Sequence, residues 1–597
     1  MTEGKLLSYF DFTYAIHRQL KHARIALLTV VAGGIIAMLV SSPTIAADVT
    51  FERLKNIESE PGNWLTNHKT YDAKRFSSLD QINQSNITNL RVAFTVQLGG
   101  AEPGGDKPHA REQATPLVED GFLYTVDGWS EVYKVDVRDG KKGRILWKMD
   151  PGVDKSTTSY PSNRGVALYE NEVISFATDG RVIAMDKETG KVLWDKVYRI
   201  ADTDIFTAAP LIIKDMIIVP GSGADIGGRC WLMAIDAKTG AVLWRLYSVP
   251  APGEPGHETW ADDHEAWKTG GGAFWYTGSY DPATNLMYWG TGQPTPMFDA
   301  EYRPGDNLYT NSTLAIDADS GKIVWYFQYT PNDKFDYDEV GSQMIYDVTI
   351  NDEPRKVLGH FGRNGFYYTL DRTNGSFIGA SQYVKNVNWT KGIDPKTGKP
   401  VEYDSSKKLQ QYAVASLRGG GEFDLCPDWQ GGVNFFPTAW NPAKHLAYGA
   451  GIDGCGQLKV DDTRMGGPFW NGGVGVRKNR MGGQVTAVDM TTGKVKATRL
   501  TDYPNYAGVL ATRGGLVFTG TLDGTFAAFD DEELKPLWNF NVGTPITAPP
   551  ISYSVGGKQF IAVHAGGGNV FNIGLLKAAP ELENLEGGSM LFVFALP

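Results

Sequence analysis

The sequence has 597 residues, of which 21% are charged and 12% aromatic, and its formal net charge at pH 7 is -11. The acidic balance speaks against a nucleic-acid partner, because nucleic-acid binders need a basic surface. The 70 glycines and the many aromatic residues are typical of a β protein with tight turns, rather than a helical or disordered chain.

The first residues have the layout of a secretory signal peptide. A basic stretch, HRQLKHAR, precedes an apolar segment from Ile25 to Val40, and the small residues TIAA follow at 44–47. This order predicts a signal peptide over residues 1–47 and a single mature domain over 48–597 in the periplasm. A membrane anchor is the alternative, but the apolar segment is short for a span, so we expect no stable membrane insertion after cleavage.

Cysteine usage agrees with export. Only Cys230, Cys426 and Cys455 occur. Cys426 and Cys455 lie in the same glycine-rich region and are the expected disulfide pair, which leaves Cys230 free. Three reduced thiols are the alternative. Because no Cys-x-x-Cys-His motif occurs, we expect no covalently attached c-type haem.

One phrase returns along the chain: an apolar strand ending in Asp, a Gly four residues later, and a Trp eight residues after the Asp. Complete copies are VIAMDKETGKVLW at Asp186, LMAIDAKTGAVLW at Asp236 and TLAIDADSGKIVW at Asp317. Four looser copies lie at Asp136, Asp371, Asp489 and Asp530. The phrase predicts a hairpin, since Asp and Gly suit a tight turn and the closing Trp can dock on the neighbouring sheet.

Seven hairpins of one kind predict a ring of repeated sheets. A single sheet of this size cannot bury both faces, whereas a closed ring leaves only short edges. We therefore expect an all-β protein, one eight-bladed β-propeller, with the eighth blade formed by pairing N- and C-terminal strands. A stack of separate sandwiches is the alternative. Residues 251–268 and 376–425 are expected to form loops on one face.

The stretch KFDYDEVG, residues 334–341, places two aspartates one residue apart. If the segment is extended, Asp336 and Asp338 point to the same side and Tyr337 points away. Two converging carboxylates repel each other unless a cation or a proton lies between them. An acidic turn on the surface is the alternative interpretation.

Several motifs together resemble one known family. They are PAPGEPGHETW at 250–260, TGGGAFWYTGSYDP at 269–282, GTGQP at 290–294, and GRNG followed by DRTNG within 362–375. With the repeats, they resemble the quinoprotein alcohol dehydrogenases, eight-bladed propellers that bind pyrroloquinoline quinone (PQQ) and a metal ion and include the methanol dehydrogenases. The resemblance covers nearly all of residues 50–597. It implies oxidation of a small-molecule alcohol, with electrons passed to a separate soluble cytochrome c. A non-catalytic periplasmic propeller that binds proteins is the alternative.

The resemblance also implies roles for single residues. Asp336 matches the catalytic base and Arg363 the arginine that donates to the quinone oxygens. Trp275 matches the indole on which the cofactor rings lie. The other positions that match cofactor contacts are Glu112, Arg164, Thr207, Ser222, Gly223, Ala224 and Asn434. Their residue types suit a planar tricarboxylate, which needs cations, polar donors and an aromatic surface.

The implied metal site departs from the family pattern. Asp225, Gln293 and Asp336 stand where relatives bind calcium through Glu, Asn and Asp, and Asp338 matches an extra carboxylate of the lanthanide-using branch. Carboxylate and amide oxygens suit Ca²⁺ or a lanthanide and do not suit zinc or copper. Thr158 and Ser159 stand where many relatives have two adjacent cysteines that cover the cofactor. Tyr506 stands where a Trp is frequent, so the substrate entrance is expected to differ.

Overall fold

Strands dominate the part of the chain that the structure describes. The structure is a computed structural model, and it describes residues 48–100, 110–156, 158, 160–462, 470–477, 479–567, 579–582, 585 and 587–597. The predicted signal peptide, residues 1–47, and Ser159 lie outside these ranges. The one α-helix in the described ranges is Phe51–Lys55, and the 3-10 helices are Ile57–Ser59, Ile87–Asn89, Ala224–Ile226, His257–Thr259, Ala266–Thr269 and Pro580–Leu582. None of these helices is long and apolar enough to cross a membrane.

The described residues form seven four-stranded sheets and one five-stranded sheet, which we name A to H. Sheet A contains Leu117–Glu119, Phe122–Val126, Val132–Asp136 and Arg144–Met149. Sheet B contains Ala167–Tyr169, Glu172–Ala177, Arg181–Asp186 and Val192–Val197. Sheet C contains Leu211–Ile213, Met216–Pro220, Trp231–Asp236 and Val242–Tyr247. Sheet D contains Ser279–Asp281, Leu286–Gly290, Ser312–Asp317 and Ile323–Gln328.

Sheets E to H follow in the same order. Sheet E contains Met344–Ile350, Glu353–Phe361, Phe366–Asp371 and Phe377–Gln382. Sheet F contains Ala439–Asn441, Leu446–Asp453, Gly482–Asp489 and Lys494–Thr501. Sheet G contains Leu510–Thr512, Leu516–Gly520, Thr525–Asp530 and Pro536–Asn541, with the short strand Phe76–Ser77 added in parallel. Sheet H contains Ile551–Val555, Lys558–Gly566, Ser589–Ala595 and Arg91–Gln97.

Sheet H joins the two ends of the described chain. Its outer strand, Arg91–Gln97, pairs antiparallel with Ser589–Ala595. The seven copies of the repeated phrase form the third and fourth strands of sheets A to G, and sheet H carries no copy. Sheet H is therefore assembled from distant parts of the chain, as is sheet G through its added strand Phe76–Ser77.

The long insertion is shorter than the sequence suggests. Residues 376–425 were expected to form a loop, but Phe377–Gln382 is the fourth strand of sheet E. The turn from Asp371 to Gly375 leads into this strand, as the equivalent turns do in the other sheets, because the second half of the repeated phrase is itself a strand. A second strand, Glu422–Leu425, pairs with Gly456–Val460, which in turn pairs with Gly473–Val476. The two remaining short strands, Arg111–Glu112 and Ser162–Asn163, run parallel.

The turn of the repeated phrase is held by its own side chains. In sheet C, Asp236 Oδ1 accepts hydrogen bonds from the Thr239 backbone N–H and from the Thr239 hydroxyl, both at 2.7 Å. The Gly240 N–H donates to the Asp236 carbonyl at 2.8 Å. Gly240 has a φ of 67°, a conformation that costs glycine little. The Asp and Gly spacing is thus explained by local hydrogen bonds.

The closing tryptophan docks on the neighbouring sheet, as the sequence predicts. The Trp244 indole N–H of sheet C donates to the Ala318 carbonyl in the turn of sheet D at 2.9 Å. A Cβ placed on Gly321 of that turn would lie 2.4 Å from the Trp244 ring. Trp325 of sheet D contacts the turn of sheet E in the same way, through the Arg372 carbonyl at 3.1 Å. Gly321 and Gly375 therefore leave room for the indoles of the preceding sheets, Trp244 and Trp325.

This docking predicts a large loss of stability on truncation of the indole. Trp244→Ala should lower the free energy of unfolding by about 3–5 kcal/mol, because it leaves a cavity between sheets C and D and removes the bond to Ala318. Urea unfolding measures the change. Leu243→Ala, at a residue of the same strand that is 50% exposed, should change it by less than about 0.5 kcal/mol. Equal effects of the two substitutions would contradict the docking role.

The disulfide prediction is confirmed. Cys426 and Cys455 are bonded, and Cys230 is a buried free cysteine. Burial raises the pKa of the Cys230 thiol well above its ordinary value, so this thiol is held in its protonated form.

Candidate active site

One cavity of about 910 Å³, including the part open to solvent, gathers most of the predicted site. Its lining includes Arg164, Thr207, Ser222, Gly223, Ala224, Asp225, Trp275, Gln293, Asp336, Asp338, Arg363 and Asn434. Residues separated by up to 270 positions in the sequence thus meet in one place.

Glu112 is the predicted site residue that does not line the cavity. Its carboxylate lies 3.1 Å from His564 Nε2, and both side chains are fully buried. Arg111 and Glu112 form a short strand, in which successive side chains point to opposite sides. Arg111 lines the cavity, so Glu112 points away from it.

Asp336 and Asp338 lie close together, but the backbone that carries them does not have the extended conformation considered from the sequence. Asp336 has a φ of 64°, in the left-handed region, so the segment is not extended at this residue. Tyr337 nevertheless points away from the cavity, and its hydroxyl donates to the Pro427 carbonyl at 2.7 Å. A non-glycine residue in this conformation costs about 1–3 kcal/mol and is found most often at functional sites. The condition of an extended segment is therefore not met at Asp336, yet both carboxylates reach the same cavity.

Arg363 joins the two carboxylates. Its Nη1 lies 2.9 Å from Asp338 Oδ2, and its Nη2 lies 3.6 Å from Asp336 Oδ2. Its Nε donates to the Gln430 carbonyl at 3.3 Å. The indole N–H of Trp275 also donates to Asp338 Oδ2, at 2.9 Å. Asp338 therefore fixes both the arginine and the aromatic ring that line the cavity.

Burial and mutual repulsion raise the pKa values of both aspartates. Burial raises the pKa of Asp336 well above its ordinary value, and Asp338 and Asp225 raise it further, while Arg363 lowers it. For Asp338, burial together with Asp225 raises the pKa to about 6 despite Arg363. Burial opposes the charge on Arg363, but the adjacent carboxylates of Asp336 and Asp338 raise the pKa of the guanidinium above its usual value. Strongly shifted groups in one cavity are a mark of a catalytic site.

The four residues predicted to bind a metal are linked to one another. Gln293 Nε2 donates to Asp225 Oδ1 at 2.6 Å, and the Gln293 backbone N–H donates to Asp338. Tyr160 donates its hydroxyl to the second oxygen of Asp225 at 2.6 Å. Within the described residues, no three Asp, Glu, His or Cys side chains are close enough to hold an ion in this arrangement. The carboxylate oxygens face protein donors instead.

The donor set nevertheless fits a hard cation. Asp225, Asp336 and Asp338 bring three carboxylates to the cavity, and Arg363 pairs with two of them, Asp336 and Asp338. A bound cation would offset the remaining negative charge and lower the raised pKa values of both aspartates. Carboxylate oxygens and the amide oxygen of Gln293 are ligands for Ca²⁺ or a lanthanide. To bind the ion, the Gln293 amide would have to rotate so that its oxygen, and not its nitrogen, lies on the side of Asp225.

Arg164 is a buried cation paired with no carboxylate in the described residues. It is 5% exposed, and its Nη1 donates to the Thr207 and Trp275 carbonyls at 3.0 and 3.2 Å. Its Nε has no hydrogen-bond partner in the part of the chain that the structure describes. The guanidinium lies 4.8 Å from the Trp275 ring centre, and burial lowers its pKa to about 9. A buried charge of this kind fits an anionic ligand group.

Tyr160 and Arg111 are among the cavity residues that the sequence did not indicate. Tyr160 holds Asp225, and the Arg111 guanidinium lies 5.2 Å from the Tyr160 ring centre. The only signal for Arg111 in the sequence is its position next to Glu112. Side chains alternate along a strand, so one residue of this pair faces the cavity. Thr158, one of the positions where relatives have cysteines, donates its hydroxyl to the Asp154 carbonyl and does not line the cavity.

Comparison with known proteins decides the family. A family described as "Glucose/ethanol/alcohol dehydrogenase, beta-propeller domain", with the short name PQQ, matches residues 64–382 and 455–561. The chain belongs to the PQQ-dependent alcohol dehydrogenases. As such, it is an alcohol-oxidising oxidoreductase with a β-propeller fold, and the fit of Arg164 and Trp275 to a planar acidic cofactor agrees with this family.

Several members of this PQQ-dependent alcohol dehydrogenase family are similar over most of the chain. Quinoprotein alcohol dehydrogenase PedH of Pseudomonas putida is 33% identical over 94% of this chain and 95% of that protein. Quinohemoprotein alcohol dehydrogenase ADH IIB of Pseudomonas putida is 34% identical over 92% of this chain and 80% of that protein. A solved europium-containing methanol dehydrogenase is 30% identical, with a TM-score of 0.82. The match covers 91% of this chain and 100% of that chain.

Proposed function

We propose that this PQQ-dependent alcohol dehydrogenase works in the periplasm, oxidises a primary or secondary alcohol to an aldehyde or ketone, and passes the electrons to a separate cytochrome c. The observation that carries the proposal is the meeting of Asp336 and Arg363 in the cavity that also contains the buried cation Arg164. A closed ring of eight sheets, with sheet H joining the chain ends, is the architecture that we propose around this cavity. Arrangement of the sheets in such a ring would bring their connections to a common site.

Asp336 is the base in this proposal. Bound PQQ would supply the two-electron acceptor, and an ion beside it would supply a Lewis acid. Asp336 takes the proton of the substrate hydroxyl on its carboxylate. Arg363 favours the ionised form of that carboxylate through its positive charge and offers N–H groups where negative charge develops.

Other cavity residues bind and orient. Arg164 binds a cofactor carboxylate, and Thr207, Ser222 and Asn434 offer polar contacts to the same ligand. The loop at Ser222, Gly223 and Ala224 approaches closely because Gly223 has no side chain: a Cβ there would lie 1.9 Å from the Thr203 carbonyl oxygen. The Trp275 indole supplies a flat apolar surface, which Asp338 fixes.

The metal ion is proposed to be Ca²⁺ or a lanthanide, held by Asp225, Gln293, Asp336 and Asp338. Asp338 is the residue that separates the two cases, since a trivalent ion gains most from an additional negative ligand. Asp338 also binds Arg363 and Trp275, so a bound ion would share the Asp338 carboxylate with these two side chains.

Reconstitution tests the proposed function. Metal-free protein lacking PQQ is mixed with PQQ and either Ca²⁺ or La³⁺, and dye reduction is followed on a panel of primary and secondary alcohols. We expect turnover with at least one ion and none without PQQ. If neither ion supports turnover on any alcohol of the panel, the protein-binding scaffold becomes the better interpretation.

Arg164→Gln should weaken PQQ binding by about 10- to 100-fold, because it removes a charge-assisted bond worth about 1.5–3 kcal/mol. Quenching of tryptophan fluorescence on titration with PQQ measures the affinity. Arg372→Gln is the matched control, since Arg372 is also buried but pairs with Asp281 at 3.4 Å and does not line the cavity. It should lower stability and leave PQQ affinity unchanged. Equal PQQ affinity of Arg164→Gln and wild type would exclude the assigned role.

A further inference from the structure

A buried Glu and His lie directly behind Arg363, outside the cavity lining. The Glu339 side chain is fully buried, and His360 is 1% exposed. Glu339 Oε2 lies 2.8 Å from His360 Nε2 and accepts a hydrogen bond. The same oxygen accepts a second hydrogen bond from the Arg363 backbone N–H at 3.1 Å. None of the roles assigned above uses either side chain.

These contacts connect two segments that are distant in sequence. Glu339 directly follows Asp338, whereas His360 is the last residue but one of the second strand of sheet E, three residues before Arg363. One carboxylate oxygen therefore ties the segment that carries both aspartates to the turn that carries the arginine. The Arg363 side chain connects the same two segments on the cavity side, where its Nη1 lies 2.9 Å from Asp338 Oδ2.

Further contacts make Glu339 rigid. Its backbone N–H donates to the Thr291 carbonyl at 3.1 Å, and its carbonyl accepts from Gln343 Nε2 at 3.2 Å. A Cβ placed on Gly290 would lie 2.0 Å from the Glu339 carbonyl oxygen, so sheet D packs closely against it. A fully buried carboxylate is costly unless donors satisfy it, and here the donors are His360 Nε2 and the backbone N–H of Arg363.

We propose that Glu339, held by His360, is a positioning residue that sets the place of Arg363 relative to Asp336 and Asp338. This inference rests on the proposed function for its effect on turnover, but its structural part does not. Arg363 has to reach Asp338 and Asp336 at once, so a displacement of its backbone changes both distances. A displacement of about 1 Å in a catalytic group is enough for a loss of about 100-fold in rate.

Glu339→Gln tests the proposal, because it keeps the shape and removes the charge that attracts both donors. We expect the crystal structure of the metal-free, PQQ-free variant to show the Arg363 guanidinium moved by about 1 Å from its wild-type place. We also expect kcat to fall by about 100-fold in the reconstituted enzyme, with PQQ affinity changed by less than about threefold. His360→Asn should give a smaller change in the same direction, and it provides the test if Glu339→Gln does not fold.

Glu119→Gln is the matched control. Glu119 is fully buried and pairs with Lys187 at 2.8 Å, and neither residue lines the cavity. It should lower the melting temperature without changing kcat or the place of Arg363. If Arg363 keeps its wild-type contacts in both Glu339→Gln and His360→Asn, the proposal is overturned. If wild type itself fails to turn over with PQQ and either ion, the proposed function fails, and the crystal comparison alone decides the positioning role.

Discussion

Asp336→Asn should reduce alcohol turnover by about 10²- to 10⁴-fold, the range expected for loss of a general base. The amide has the size of the carboxylate and cannot take the hydroxyl proton. Because Arg164 and Trp275 are unchanged, PQQ affinity should stay close to that of wild type. Dye-coupled rates at saturating alcohol, together with the fluorescence titration, separate the two effects.

The control for this substitution is Asp531→Asn. Asp531 is fully buried and pairs with Lys444 at 2.8 Å, next to sheet G and away from the cavity lining. It should affect stability only. Wild-type turnover in Asp336→Asn would show that another group takes the proton, and Asp338 would be the next candidate because it shares Arg363.

Arg363→Gln is expected to have the second large effect, a fall in kcat/KM of about 10²- to 10³-fold at neutral pH. Two causes act together: the substitution removes a donor from the site of developing negative charge, and it removes the cation that lowers the pKa of Asp336. The base is active only when ionised. Loss of Arg363 raises its pKa further, so the acid limb of the pH profile of kcat/KM should move to higher pH.

Asp338→Asn should move the same limb in the opposite direction. Asp338 raises the pKa of Asp336 by repulsion, so its neutralisation lowers that pKa and shifts the acid limb to lower pH. Arg363→Gln and Asp338→Asn therefore test the same electrostatic model, because they are expected to shift the pKa of Asp336 in opposite directions. A shift of the acid limb in the same direction in both variants would contradict the assignment of Asp336 as the titrating base.

The fold was accessible from the sequence because its signal is local. Asp236, Thr239 and Gly240 fix their turn through bonds within five residues, and each copy of the phrase repeats this chemistry. The one sheet without such a signal is sheet H, whose strands come from both ends of the chain. Its presence followed from the need to protect open sheet edges, rather than from any motif.

The site was predicted less completely because several of its contacts are not local. The left-handed conformation of Asp336 is held by its surroundings, and nothing in the stretch KFDYDEVG indicates it. Tyr160 and Glu339 act through partners 65 and 24 residues away, Asp225 and Arg363. The resemblance to a family supplied residue positions but not facing directions, which is why Glu112 was expected in the cavity that Arg111 lines.

The pairing of Arg91–Gln97 with Ser589–Ala595 has a consequence for biogenesis. The early strand is synthesised long before its partner, so its backbone N–H and C=O groups have no permanent partner until residues 589–595 have been made. During that interval it presents an open edge to which other extended chains can bind. A circular permutant in which residues 91–97 directly follow 589–595 would shorten this interval and should aggregate less during synthesis and folding.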